Sequence, residues 1–132
     1  MGNRCVITNK EKTIAVYQHW NGGRDTIEPL LKVAKDLGKG FNSVIELSMK
    51  VFDGDVFSYD VADVNNGDNG TYIIDDELNI VGREFFNGTE QNSHNPCLME
   101  IFIRLVYELG DEEKAKKIMG LVEKIGESKN GK

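Results

Sequence analysis

Residues 55–84 read DVFSYDVADVNNGDNGTYIIDDELNIVGRE, and the fold class turns on how this stretch is organised. From 55 to 64 the residues alternate as in a strand, which puts Phe57, Tyr59 and Val61 on one face. NNGDNG follows, and its two Asn-Gly pairs supply the positive φ that a tight hairpin needs. TYIID resumes extended chain, and a turn at Asp76-Glu77 leads into LNIVGREFF, where Gly82 marks a bulge or a close approach. The predicted unit is a three-stranded antiparallel meander.

Toward the amino terminus, residues 4–8 and 13–19 are rich in β-branched and aromatic types, and NKEK between them predicts a hairpin. The second strand ends in a glycine loop, Trp20-Asn21-Gly22-Gly23-Arg24. Asp25 is placed to cap a helix, with Glu28 completing a capping box and Pro29 in the first turn. Ile27, Leu30, Leu31, Ala34 and Leu37 recur at helical spacing up to Gly38. A shorter helix is expected over 43–52, capped by Asn42 or Ser43 and ended by Asp53-Gly54, although Val44, Ile45, Val51 and Phe52 would also suit a strand.

Toward the carboxy terminus, Asn95-Pro96 is a cap followed by a first-turn proline, and a helix runs over 97–109 to Gly110. Its apolar positions (Leu98, Met99, Ile101, Phe102, Leu105, Val106, Leu109) wrap more than half the circumference. Such a helix is central to the core or is covered by a partner subunit. Asp111 caps a last helix with Glu112 and Glu113 at its start, ending near Gly126 before a flexible polar tail over 127–132. The element order is ββααβββαα: an α+β fold whose antiparallel sheet, hairpin plus meander, packs with helices in one domain over 1–126.

The chain of 132 residues, 39% apolar and 29% charged with two prolines, has the composition of a globular protein with one core. No apolar run is long enough for a membrane span or a secretory signal, and Val6 breaks the myristoylation motif begun by Met1-Gly2. Cys5 and Cys97 lack the spacing of a metal knuckle, and both are expected to stay reduced in the cytoplasm of the host cell. Sixteen Lys plus Arg against 22 Asp plus Glu give a net charge of −6. Residues 51–80 hold eight acids (Asp53, Asp55, Asp60, Asp63, Asp68, Asp75, Asp76, Glu77) and no Lys or Arg. Without a basic stripe, direct duplex binding is not expected. An acidic surface would instead meet a basic protein groove or imitate a nucleic-acid backbone, unless these acids merely solvate two strands.

Three constellations carry possible chemistry. Arg4, Tyr17, His19, Trp20, Asn21, Gly22, Gly23, Arg24 and Asp25 put an imidazole and an indole into a glycine loop, with a guanidinium at a helix start. Arg24 and helix N–H groups would attract a phosphate, and Trp20 would stack on a base, or else plug the core. Asp60, Asp63, Asn65, Asp68 and Asn69 are oxygen donors, but with Asp63 first, Ile74 takes the final position of a calcium loop, and turn formation explains them with less assumption. Arg83, Glu84, Asn87, Glu90, Asn92 and His94 surround a loop in which Arg83 and Glu84 face opposite ways. Phosphate-loop, dinucleotide, GxSxG, HExxH and CxxC motifs do not occur, so no metal, cofactor or catalytic residue is assigned and the chain is not read as an enzyme.

The runs MGNR, VI and VYQHWNGG, with Gly2, Asn3, Arg4, Tyr17, Trp20, Asn21 and Gly22, resemble a loose group of small bacteriophage and mobile-element proteins opening Met-Gly-(Asn or Thr)-Arg and continuing to Tyr-x-x-Trp-(Asn or Asp)-Gly. The match spans residues 1–25. It implies an anti-defence role by binding, in which a carboxylate surface with Asp60, Asp63 and Asp68 blocks a host nuclease or effector in anti-CRISPR-like fashion. An alternative is a homo-oligomeric sponge that sequesters a nucleotide second messenger between Trp20 and Arg24, with Arg4, His19 and Asn21 nearby and the 97–109 helix as the subunit contact. Another is a small hydrolase or nuclease that uses His19 with acids of the meander.

Overall fold

A computed structural model describes residues 3–90 and 95–131, with side chains described through residue 124. The strands are β1 (Cys5–Asn9), β2 (Ile14–Gln18), β3 (Asp55–Ser58), β4 (Thr71–Ile74) and β5 (Ile80–Glu84). The helices are α1 (Arg24–Leu37), α2 (Phe41–Phe52), α3 (Pro96–Leu109) and α4 (Glu112–Gly131), and a 3-10 turn covers Tyr59–Val61. The α+β class and the order of elements agree with the sequence reading. The sheet does not. It is a single five-stranded sheet in the order β3-β2-β1-β4-β5, with β1 and β4 parallel and every other pair antiparallel.

The meander is therefore a correction. β3 ends at Ser58 and pairs with β2, with Ala15 opposite Phe57, while β4 pairs with β1 and β5. Gly67 and Gly70 do take positive φ, at 81° and 70°. The segment nonetheless joins no hairpin. It crosses from one edge of the β1–β2 pair to the other, held by Tyr59 N–H to Thr13 O at 3.1 Å and by Thr71 Oγ1 to Val64 O at 3.0 Å. At Gly82 a Cβ would come within 3.1 Å of the Ile73 side chain, and the β4–β5 register slips beside it. The close approach and the irregularity were both legible.

One face of the sheet carries the main core. Cys5, Ile7, Val16, Tyr72 and Ile74 meet Ile27, Leu30 and Ala34 of α1, Val44 and Leu47 of α2, and Ile103 and Val106 of α3. Burying a side chain such as Leu30 contributes about 1.5–3 kcal/mol. Gln18 enters the same face and is wholly buried, and its Oε1 accepts from Ser48 Oγ at 2.6 Å, so the polar group is satisfied across the β2–α2 contact.

Helix ends divide by how local their caps are. Asn95 accepts from the N–H groups of Cys97 and Leu98, Asp111 accepts from Lys114 N–H, and Gly38, Asp53 and Gly110 end their helices in the left-handed region, all as expected. The expected Asp25 cap does not form. Gly23 is the N-cap of α1 without a side-chain bond, and Asp25 is buried. Gly40, not Asn42 or Ser43, is the N-cap of α2. α4 continues to Gly131, through the stretch read from sequence as a tail. No helix of the described residues is long and apolar enough to cross a membrane.

Candidate functional site

Most of the motif residues meet at the end of the sheet where β1 starts and β2 finishes, and their contacts are architectural. Asn21 holds φ 63°, which turns the chain back toward β1. Gly22 N–H donates to Asn3 O at 2.8 Å, and its carbonyl accepts from the buried Tyr72 hydroxyl at 2.7 Å. A Cβ on Gly22 would lie 2.6 Å from Asn3 O and 2.7 Å from Cys5 Cβ, so only glycine fits. Arg4 donates from Nε to Asp68 Oδ2 at 2.6 Å and from its backbone N–H to the same oxygen at 3.2 Å. Asn69 Nδ2 bonds Asn3 Oδ1 and Arg4 O.

Asp68 is thus a strut and not a free surface carboxylate: it is 7% exposed, and Asn66 Oδ1 accepts from its backbone N–H. Burial pushes its acidity down, but the hydrogen bonds and charge of Arg4 outweigh this and hold its pKa below the usual carboxylate value.

Trp20 does the opposite and turns outward. It is 56% exposed, with its ring meeting His19 edge-on at 4.9 Å, and His19 Nδ1 shares a 2.8 Å hydrogen bond with the Tyr17 hydroxyl. Trp20 and Asn21 form one lip of a groove of about 590 Å³. Val51 and Phe52 at the end of α2, Leu98, Met99 and Phe102 on α3, and Met119 on α4 form its walls. Asp53, Asn95, Glu112, Lys116 and Glu123 stand around it. Lys116 pairs with Glu112 at 3.2 Å, so Asp53 and Glu123 leave the rim negative. A mainly apolar concavity with a few polar groups is the usual form of a binding site.

Arg24 does not share this groove. Its side chain pairs with Glu28 at 2.5 Å and lines a separate hollow with Lys32, Lys35 and Asn79. Its backbone N–H, at the first turn of α1, donates to Glu90 Oε2 at 3.0 Å, so an internal carboxylate holds the place that sequence reserved for a phosphate. Glu90 also takes Arg83 Nη1 at 2.6 Å. The Arg83 guanidinium lies 4.3 Å from the Tyr72 ring and 3.7 Å from that of Phe86, which makes a largely buried clamp between sheet and loop. Glu84 faces the other way and pairs with Lys12 at 2.9 Å. Asn92 and His94, read as neighbours of this cluster, lie outside the described residues.

The acids of 51–80 divide between two edges of the sheet. Asp75 accepts from the N–H groups of Glu77 and Asn79 in the β4–β5 turn, and Asp76 pairs with Lys10 at 2.9 Å. Asp60 and Asp63 are exposed near β3, where Ser58 Oγ donates to Asp60. Among the described residues no three of His, Cys, Asp and Glu gather to hold a metal.

The groove walls escaped the sequence reading because they come from three helices distant in sequence. Their signal was the apolar surplus on α3: Leu98 faces the groove, and Phe102, packed against the core, also lines it. Comparison with protein-family models, curated proteins and solved structures gives no match, so the functional reading rests on this geometry.

Proposed function

We propose that this chain is a non-enzymatic binding protein that seats an amphipathic helical segment of a partner protein in the Trp20 groove. The likeness to small phage proteins suggests that this partner belongs to a host defence system. The observation that carries the reading is the open apolar groove with the exposed indole at its lip. A tryptophan beside Phe52, Leu98 and Phe102 is the kind of anchor around which binding energy concentrates. Helices dock into such grooves through apolar side chains at helical spacing. The negative rim selects lysine or arginine on the flanks of that helix.

A nucleotide is served less well by the same features. Arg24 points into a different hollow, and carboxylates stand where phosphates would have to approach. Catalysis by His19 finds little support, since its described contacts are Tyr17 and Trp20, both aromatic.

Trp20 is the sole tryptophan, so its emission reports directly on the groove. Titration with an amphipathic peptide of leucine and lysine should shift the emission to the blue, and Glu123→Lys should weaken binding severalfold. An unchanged emission with this peptide, or an equal response to an acidic amphipathic peptide or to ATP, would sink the reading.

A further inference from the structure

We infer that the outer edge of β3 is a second docking surface, which accepts an extended, lysine- or arginine-bearing segment of a partner as a sixth strand. This does not rest on the groove. β3 ends the sheet order, so one side of its backbone has no strand partner among the described residues. All four of its residues are exposed, and Val56 and Phe57 keep 41% and 39% of their surface open. Val61, just beyond, is 70% exposed, and Ile14, opposite Ser58 on β2, is 38% exposed. Open strand edges are templates for pairing, and proteins usually blunt them with lysine, proline, bulges or covering chain.

β5, at the other edge, shows such blunting: its register slips beside Val81, and Arg83 and Glu84 are both ion-paired. β3 is short, four residues with a charge at Asp55, but it runs in regular register from Ser58 to Asp55 and contains neither proline nor lysine. An added strand would satisfy its outer N–H and C=O groups; its apolar side chains would cover Val56 on one face, and its cations would meet Asp55, which shares the other face with Phe57.

Charge decides which strand. Asp55 lies on β3 with Asp53 and Asp60 just before and after it, and none of the three forms an ion pair with a described residue. Elsewhere Asp36, Glu46, Asp68, Asp76, Glu84 and Glu90 are each paired with a cation, while Glu11, Glu77, Glu108 and Glu113 form no ion pair with a described residue, so what marks β3 is the grouping of its acids about one open strand. A second copy would bring the same three carboxylates against these three, and like charges brought together oppose pairing. A strand with cations beside its apolar positions meets the opposite situation.

The test uses the intact chain and a short peptide of alternating lysine and valine. Amide hydrogen exchange of 55–58 should slow on saturation while Trp20 emission stays constant. Affinity by calorimetry should fall by about tenfold in Asp55→Lys with Asp60→Lys, both substitutions at exposed positions that leave the fold intact. A glutamate–valine peptide should give no protection. Unchanged exchange in β3 would overturn the inference, as would equal protection by the acidic peptide. Protection of the same amides by raised protein concentration alone would assign the edge to a second copy and overturn it too. A shift of Trp20 emission without β3 protection would place the peptide in the groove, which refutes the edge and leaves the groove standing.

Discussion

Asp68→Asn separates a structural acid from the surface acids beside it in sequence. Asp68 is 7% exposed and receives two N–H groups of Arg4, at 2.6 and 3.2 Å. Asparagine keeps the shape and one acceptor but removes the charge. Hydrogen bonds to a charged partner are worth about 1.5–3 kcal/mol. Arg4 is 34% exposed and can rehydrate, which keeps the loss near the lower half of that range, about 2 kcal/mol. For a chain of this length the melting temperature should drop by about 5–8 °C. Asp60→Asn and Asp63→Asn, at exposed positions, should stay within about 0.5 kcal/mol of the parent.

The pH dependence supplies an independent check on the same residue. Because Arg4 holds the folded carboxyl below its unfolded value, its contribution is fully present above the ordinary carboxylate pKa of about 4. It is lost as pH falls through the depressed folded value, where Asp68 takes up a proton and becomes nearly as neutral as asparagine. Urea melts of parent and variant should therefore differ at neutral pH and converge in acid, with equal m-values. Equal stability at neutral pH would refute the strut, and so would a gap that persists unchanged once Asp68 is protonated.

The remaining expectations come from the same end of the sheet and from the cysteines. Gly22→Ala must move Asn3 O or Cys5 Cβ, 2.6 and 2.7 Å from the new methyl, and should cost about 2 kcal/mol in a denaturant melt. Cys97 is exposed and should react at once with a thiol reagent. Cys5 is fully buried, and burial pushes its pKa up to about 12, so the native protein holds almost none of the reactive thiolate there. Its labelling should track unfolding, and fast labelling of both thiols in the native protein would contradict this packing.

Sequence resolved what is decided within a few residues. The Asn95 cap, the left-handed Gly110 and the turn glycines Gly67 and Gly70 all depend on local backbone needs, and each was legible. A turn signal, however, states that the chain reverses and not which strand it then joins. Asn66 shows why: its side chain bonds Asp63 O, Gly70 O and the N–H groups of Asp68 and Gly70, knitting the turn to itself. The strand it delivers then finds β1 as its parallel neighbour, a pairing 65 residues distant in sequence that no local pattern encodes. The cap of α1 fails for the same reason, since Glu90 supplies it from 66 residues away. Trp20 was legible as a site because a tryptophan in a glycine loop is conspicuous. Its companions were misjudged because the loop turns at Asn21, with φ 63°, before Arg24 opens α1 beside a different hollow.

The acidic stretch itself shows how composition misleads when geometry is unknown. Eight carboxylates in 51–80 suggest one negative face, yet Asp68, Asp75 and Asp76 are consumed by Arg4, the β4–β5 turn and Lys10. What remains is Glu77 in the β4–β5 turn and, on and near β3, Asp53, Asp55, Asp60 and Asp63, of which Asp53 also stands on the rim of the groove. Gly54 alone separates that rim from the open strand. Two surfaces that differ in kind, one for an apolar helix and one for an extended backbone, therefore share a single negative border. Salt should slow association with either cationic partner, because exposed charges are screened within about 8–10 Å. It should leave the escape rate of a helix already seated among Phe52, Leu98 and Phe102 nearly unchanged, since that step breaks apolar contacts.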